Sequence, residues 1–435
     1  CSSLTGLPES IGQLTALTKL RLSGCSWLTG LPESIGQLTA LTTLSLDYCT
    51  RLSNLPTCVA SMLVPRCLSF AGDDGLTALP ECVCQLKALT TLDLSGCSSL
   101  TGLPESIGQL TTLTTLDLSG CSSLTGLPAS MGQLAALTTL NVNGCRSLRE
   151  LPESTHVLEL LATNNRTELS LGNFPAITCL PASLGQLTAF ATLYLYGCSR
   201  SLRELPESVH VLELLATNNR TELRLGKFPA LECLPESLGQ LTALTTLNLS
   251  GCNSLTGLPQ SIGQLTALTT LDLGGSSSLM GLYSLLTVAP AFAHVPSNFP
   301  YLTCLPESLG QLAALTSLNL SGCGSLTGLP ESLGELMALT TLNLSGCSSL
   351  MGLPESMCQP AALTTLDLSH CASLSGLPES MGHLAALTTL NLSGCHSLKG
   401  LPESMGQLAA LTTLDLSGCC SLTRLPESAH VLELL

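Results

Sequence analysis

Large rings and positive charge are both scarce in this chain. Aromatic residues are 3% of its 435, with one Trp, five Tyr and six Phe. So few rings cannot fill an ordinary globular core, whereas stacked aliphatic layers can do so without them. Lys and Arg total 15 against 30 Asp and Glu, a formal net charge of −15. A chain without a basic footprint is unsuited to nucleic acid or an anionic membrane as its main partner. The longest apolar stretch, Leu282–Val295, is short for a membrane span and carries Pro290 and His294. Neither a G-x-x-x-x-G-K-[ST] phosphate loop nor a G-x-S-x-G nucleophile elbow occurs. The seven His show no metal or triad spacing, and His156, His210 and His430 fill one slot in copies of one segment. The expectation is a non-enzymatic chain with no cofactor and no metal.

What is present is a repeat, clearest at 98–121 as SSLTGLPESIGQLTTLTTLDLSGC. Its Cys slot recurs at 1, 25, 49, 73, 97, 121, 145, 174, 198, 228, 252, 276, 299, 323, 347, 371, 395 and 419. Fourteen of the 17 intervals are 24 residues, the others being 29, 30 and 23. Asp73, Phe174, Phe228, Ser276 and Phe299 replace the Cys without breaking the count. Length alone would suggest two or three domains, but repetition from end to end predicts one array over 1–435 of about 17–18 units.

Within the unit, LTTLDLSG sets Leu116 and Leu118 inward and Thr115, Asp117 and Ser119 outward, the period-2 pattern of a half-buried strand. Gly120 turns the chain. Leu100, Leu103, Ile107, Leu110 and Leu113 complete the apolar set, and Pro104 at a first helical position predicts a short helical turn over PESIGQL. One unit cannot bury its apolar face alone, so neighbours must stack. About 17 strands at ~4.8 Å spacing would make a parallel sheet on the order of 80 Å long, lining the tighter, concave side of a horseshoe.

Units such as LDLSGCSSL followed by LPESIGQL resemble leucine-rich repeats. The resemblance is nearest to plant intracellular immune receptors of the TIR nucleotide-binding type. Ras-group repeat proteins share the LPxxIGxL half but usually place Asn where this chain has Cys. The resemblance covers essentially all 435 residues. It implies an α/β leucine-rich-repeat solenoid, with a parallel sheet on the concave face and helical turns on the convex face. It also implies a protein or peptide partner on the concave face, and the ligand-sensing repeat region of a larger disease-resistance-like protein. The alternatives are a structural or adhesive array, or the repeat appendage of a kinase or ubiquitin ligase.

A larger duplication overlies the small one. Residues 151–187 recur at 205–241, and a third copy begins at Leu425 as LPESAHVLELL. Neither end carries a polar capping repeat, so the chain is read as incomplete at both ends. Segments 146–174, 199–228 and 277–300 are irregular, and Pro290, Pro296 and Pro300 weaken the strand expected near His294.

The 22 Cys mostly occupy one inward slot. Neighbours in the stack fall within disulfide Cα range, but their side chains would point in parallel. The reading is a row of buried thiols donating weakly to carbonyls, in a reducing, cytoplasmic setting. Cys82 with Cys84, and Cys419 with Cys420, lack the second pair a metal site needs. Sequons at Asn248, Asn319, Asn343 and Asn391 lie on the strand and reflect recurrence of one tripeptide.

Outward columns are monotonous, with Thr, then Asp or Asn, then Ser. Three consecutive strands break the pattern, presenting Glu168, Ser170 and Gly172; Thr192, Tyr194 and Tyr196; and Glu222, Arg224 and Gly226. In-register stacking would set Tyr194 between Ser170 and Arg224, and Tyr196 between two glycines. Tyr and Arg are types enriched at interface hot spots. Glu168, Tyr194, Tyr196, Glu222 and Arg224 are therefore the main candidate binding residues. Lys19, Arg21, Asp47 and Tyr48 form a secondary group near the start.

Overall fold

The computed structural model describes residues 3–52, 55–62, 65–162, 168–171, 173–195, 198, 200–217, 220–226, 228–275 and 304–427. The chain divides into two compact units, Cys1–Cys198 and Ser199–Leu435.

The regular repeats among the described residues are each a three-residue strand, a turn and a short 3-10 helix. In the repeat around Thr115–Asp117, Leu116, Leu118, Leu100, Ile107, Leu110 and Leu113 are fully buried, while Leu103 is only half-buried. Gly120 turns the chain at φ 76°, a backbone that a side chain would strain. Pro104 sits one position earlier than expected. Its extended backbone (φ −72°, ψ 151°) makes it the cap before the 3-10 helix Glu105–Gln109.

In the first unit six parallel strands run from Lys19–Arg21 to Thr139–Asn141, and Glu168–Ser170 pairs with Thr192–Tyr194. In the second, a sheet of nine strands ends at Thr413–Asp415. Parallel neighbours are in register leucine to leucine, as in Leu92↔Leu116↔Leu140. Thr270–Asp272 pairs directly with Ser317–Asn319, although 47 residues separate them where 24 is the rule. The segment 277–300, with the strand expected near His294, lies outside the described residues.

The cysteine slot is a hydrogen-bonded row. Cys121 Sγ donates to the Leu94 carbonyl at 3.1 Å, Cys145 to Leu118 at 3.2 Å, and Cys371 to Leu344 at 3.2 Å. Each accepting carbonyl also takes the Cys N–H of its own repeat, as Leu94 takes Cys97 N–H at 3.2 Å.

On the opposite side, the 3-10 helices start after Pro with no side-chain cap of their own. In several repeats the preceding glutamate supplies one. Glu105 accepts Ser130 N–H at 3.2 Å, Glu236 accepts Ser261 N–H at 2.9 Å, and Glu307 accepts Ser332 N–H at 3.1 Å. Two irregular segments instead form α-helices, α1 (Thr155–Leu161) and α2 (Val209–Leu215). Both follow repeats with Ala in the Glu slot, Ala129 and Ala182, and each is capped by its own serine, Ser154 or Ser208.

Candidate functional site

Along most of each sheet the outward side chains bind one another. Asp117 accepts Ser119 N–H at 2.8 Å and Asn141 Nδ2 at 3.3 Å. Asp272 is bracketed by Asn248 at 3.1 Å and Asn319 at 2.8 Å, so interleaved amides relieve the column of carboxylates. Asp93 lies directly opposite Asp117 and takes Ser95 N–H at 2.9 Å.

The secondary group is laid out on this background in the first unit. Lys19 pairs with Thr43 and Arg21 with Ser45, and both cations are exposed. Asp47 is less available than its sequence implied. Its carboxylate accepts Ser45 Oγ at 2.6 Å, Ser23 Oγ at 3.1 Å, Ser69 Oγ and the Ala71 N–H at 3.2 Å. Burial alone would raise its pKa, but these bonds outweigh it and hold the group below the usual carboxylate value. Tyr48 occupies the slot that glycine fills in most repeats, at φ 56°. That conformation costs an L side chain roughly 1–2 kcal/mol. Its ring lies over Gly72, where a Cβ would stand 2.2 Å from Cε1, so only glycine admits it there.

The main group is only partly brought together. Ser170 lies beside Tyr194, and Glu168 beside Thr192. Tyr196 and Gly172 lie outside the described residues. The strand Glu222–Arg224 pairs with Thr246–Asn248 on one edge and, antiparallel, with Ala216–Thr217 on the other. That second edge is the one in-register stacking had assigned to the Tyr194 strand. Ala216–Thr217 of the same repeat occupies that edge, and Tyr194 and Arg224 belong to different compact units. The Arg224 guanidinium is held within its own strand by Glu222 at 2.9 Å. Gly226 offers no hollow toward the next repeat, since a Cβ there would meet Asn248 Oδ1 at 3.0 Å.

Several features escaped the sequence reading. His370 (φ 60°) repeats the Tyr48 arrangement, its ring lying against Gly394. A non-glycine in the glycine slot, followed one repeat later by glycine, is the signal that marks both. Trp27 is half exposed and stacks under Arg51, whose guanidinium carbon is 3.7 Å from the ring centre. On the helical side, a cleft of about 550 Å³ lies between Glu153–His156 and Ala182–Gln186, and His156 Nε2 is buried without a hydrogen-bond partner. Among the described residues no group of three or more His, Cys, Asp or Glu is placed to hold a metal, and no helix is long and apolar enough to cross a membrane.

The Leucine Rich Repeat family model matches residues 88–110, 112–134, 243–265, 314–336, 362–384 and 386–408. No curated protein gives a significant match. Similar solved structures include a leucine-rich-repeat protein of Leptospira interrogans, at 25% identity over 100% of this chain and 92% of that one, TM-score 0.32. The Arabidopsis receptor kinase HAESA, in complex with a peptide hormone and a co-receptor, is 20% identical over 95% of this chain and 80% of that one, TM-score 0.33. The matched repeats are characteristically non-catalytic interaction modules, consistent with a non-enzymatic chain. Its parallel in-register strands, the 3-10 turns between them and the matched repeats agree: the chain is a leucine-rich-repeat solenoid.

Proposed function

We propose that the chain is a recognition scaffold that binds a protein or peptide on its sheet face. The observation that carries this reading is local variation on a uniform surface. Most outward columns satisfy themselves with Thr, Asp, Asn and Ser, whereas a few positions present Lys19, Arg21, Tyr48, Glu168, Tyr194 and Arg224 instead. A filler array has no reason to break its consensus in patches. A binding surface does, because a few aromatic and Arg side chains carry most of an interface's energy. The finer reading is the ligand-sensing repeat region of a plant-type disease-resistance-like protein in a reducing cytoplasm. It is supported by the LDLSGCSSL and LPESIGQL units alone. Its test is the coding sequence on either side. A nucleotide-binding domain supports it, whereas a kinase domain favours the alternative of a receptor appendage.

Recognition itself is tested with Tyr194→Ala/Tyr196→Ala against Thr341→Ala/Thr365→Ala, each checked for an unchanged fold by circular dichroism. Partners recovered on the unmodified chain are titrated by calorimetry. The tyrosine variant is expected to lose about 2 kcal/mol or more. Unchanged binding there, with a loss from the threonine variant, moves the site to the regular face.

A further inference from the structure

Large side chains crowd onto one stretch of the first unit's turns, in a chain with a single Trp. Trp27, Tyr48 and Arg51 lie in two neighbouring repeats, Trp27 and Tyr48 being 50% and 61% exposed. Tyr48 stands at the margin of a shallow groove of about 510 Å³ floored by Gly72, Gly96 and Gly120. Those three glycines follow one another in the stack at φ 69°, 74° and 76°, with the Tyr48 ring over the first and no side chain of their own on the other two. Asp74 is the one charged residue lining the groove, and it is exposed. Its Oδ1 takes the Ser98 hydroxyl at 2.7 Å.

The electrostatics favour one kind of occupant. The chain carries a net charge of −15, and Asp93 and Asp117 stand two residues before Ser95 and Ser119 of the groove wall. Arg51, the nearest cation in sequence, stacks on Trp27 in the preceding repeat, on the side of Tyr48's repeat away from Gly96 and Gly120. An aromatic face beside a carboxylate is what a guanidinium or ammonium seeks, the ring quadrupole and the full charge acting together. The Trp27–Arg51 pair shows the same turns already holding one guanidinium on one ring.

We propose that this groove seats a lysine or arginine side chain from an extended segment of a protein partner, between the Tyr48 ring and the Asp74 carboxylate. This deepens the recognition reading and rests on it. The full chain is labelled with 13C in its five Tyr rings and titrated with the capped peptide Gly-Ser-Arg-Ser-Gly. Gly-Ser-Glu-Ser-Gly serves as the control. The Arg peptide is expected to shift one Tyr resonance, and that resonance should vanish in Tyr48→Gly. Because glycine is the residue other repeats use in this slot, Tyr48→Gly should fold. Asp74→Asn should weaken binding tenfold or more, while Asp415→Asn in the second unit leaves it unchanged. Equal shifts from the Arg and Glu peptides, or undiminished binding by Asp74→Asn, overturn the proposal. If partners recovered on the chain still bind, only this assignment falls. If no partner binds the unmodified chain either, the recognition reading falls with it.

Discussion

Asp73 stands where most repeats have cysteine, and the exchange matters because a thiol can donate a hydrogen bond and an ionised carboxylate cannot. The side chain is fully buried. Oδ1 accepts Gly75 N–H at 2.9 Å, while Oδ2 has no partner. Cys49, Cys97 and Asp74 are the titratable groups around it, and none brings positive charge. Burial pushes its pKa up to about 6, only partly countered by the N–H groups of Gly75 and Leu76. With the folded value above the unfolded one, the folded state holds the proton longer. Stability therefore falls as pH rises from about 4 to about 6, then levels off. At neutral pH the loss is on the order of 3 kcal/mol at most. Urea unfolding of the chain and of Asp73→Asn across pH 4–7.5 should show the variant gaining stability through that window. A pH-independent difference would assign the effect to something other than this carboxyl. The sequence reading registered Asp73 as a tolerated exception. It could not see the cost, which depends on a second oxygen left without a donor. At Asp47 the sequence could not see the reverse, a carboxylate already held by three serines.

At the scale of the element, the 3-10 turns owe their geometry to close approach between repeats. A Cβ on Gly334 would stand 2.3 Å from the Ser356 carbonyl, whereas one on Gly328 would meet nothing within 4 Å. Gly334→Ala should destabilise by about 1–3 kcal/mol through overpacking. Gly328→Ala should be neutral, or stabilise by up to about 1 kcal/mol through the unfolded chain. Thermal unfolding of the pair checks this, and equal effects would remove inter-repeat packing as the reason for glycine in ESLGE. The period, the strand and the short turn were legible because each is written inside one repeat. The Glu-to-N–H bonds were not. They join residues 24 to 30 apart and exist only once neighbours stack.

Across the whole molecule the thiols provide the widest test. Burial pushes Cys145 up to about 11 and Cys252 up to about 12, so the ladder should be inert to alkylation near neutral pH. The exposed Cys233, Cys304 and Cys420 should react first in the native chain. After denaturation without reductant, all 22 should titrate as free thiols. Finding most of them blocked would overturn the ladder and the reducing compartment proposed with it. The solenoid was readable at this scale because one slot recurs through 18 positions. The direct pairing of Leu271 with Leu318 was not, because the residue count sets these two strands two intervals apart. The candidate face was legible as a set of columns. The antiparallel pairing of Ala216–Thr217 with Glu222–Leu223 was not, since no outward residue of the repeat announces it.

The glutamate caps run one way only. Each carboxylate precedes, in chain order, the amide it serves, so where a glutamate caps a turn the growing chain has that cap in place before the turn emerges. Assembly from the N-terminal side therefore completes each glutamate-capped turn as it is made, whereas assembly from the other side leaves such a turn waiting for its predecessor. Ser154 and Ser208 are exempt, since each caps its own helix. Each of these two helices can therefore begin without help from the repeat before it.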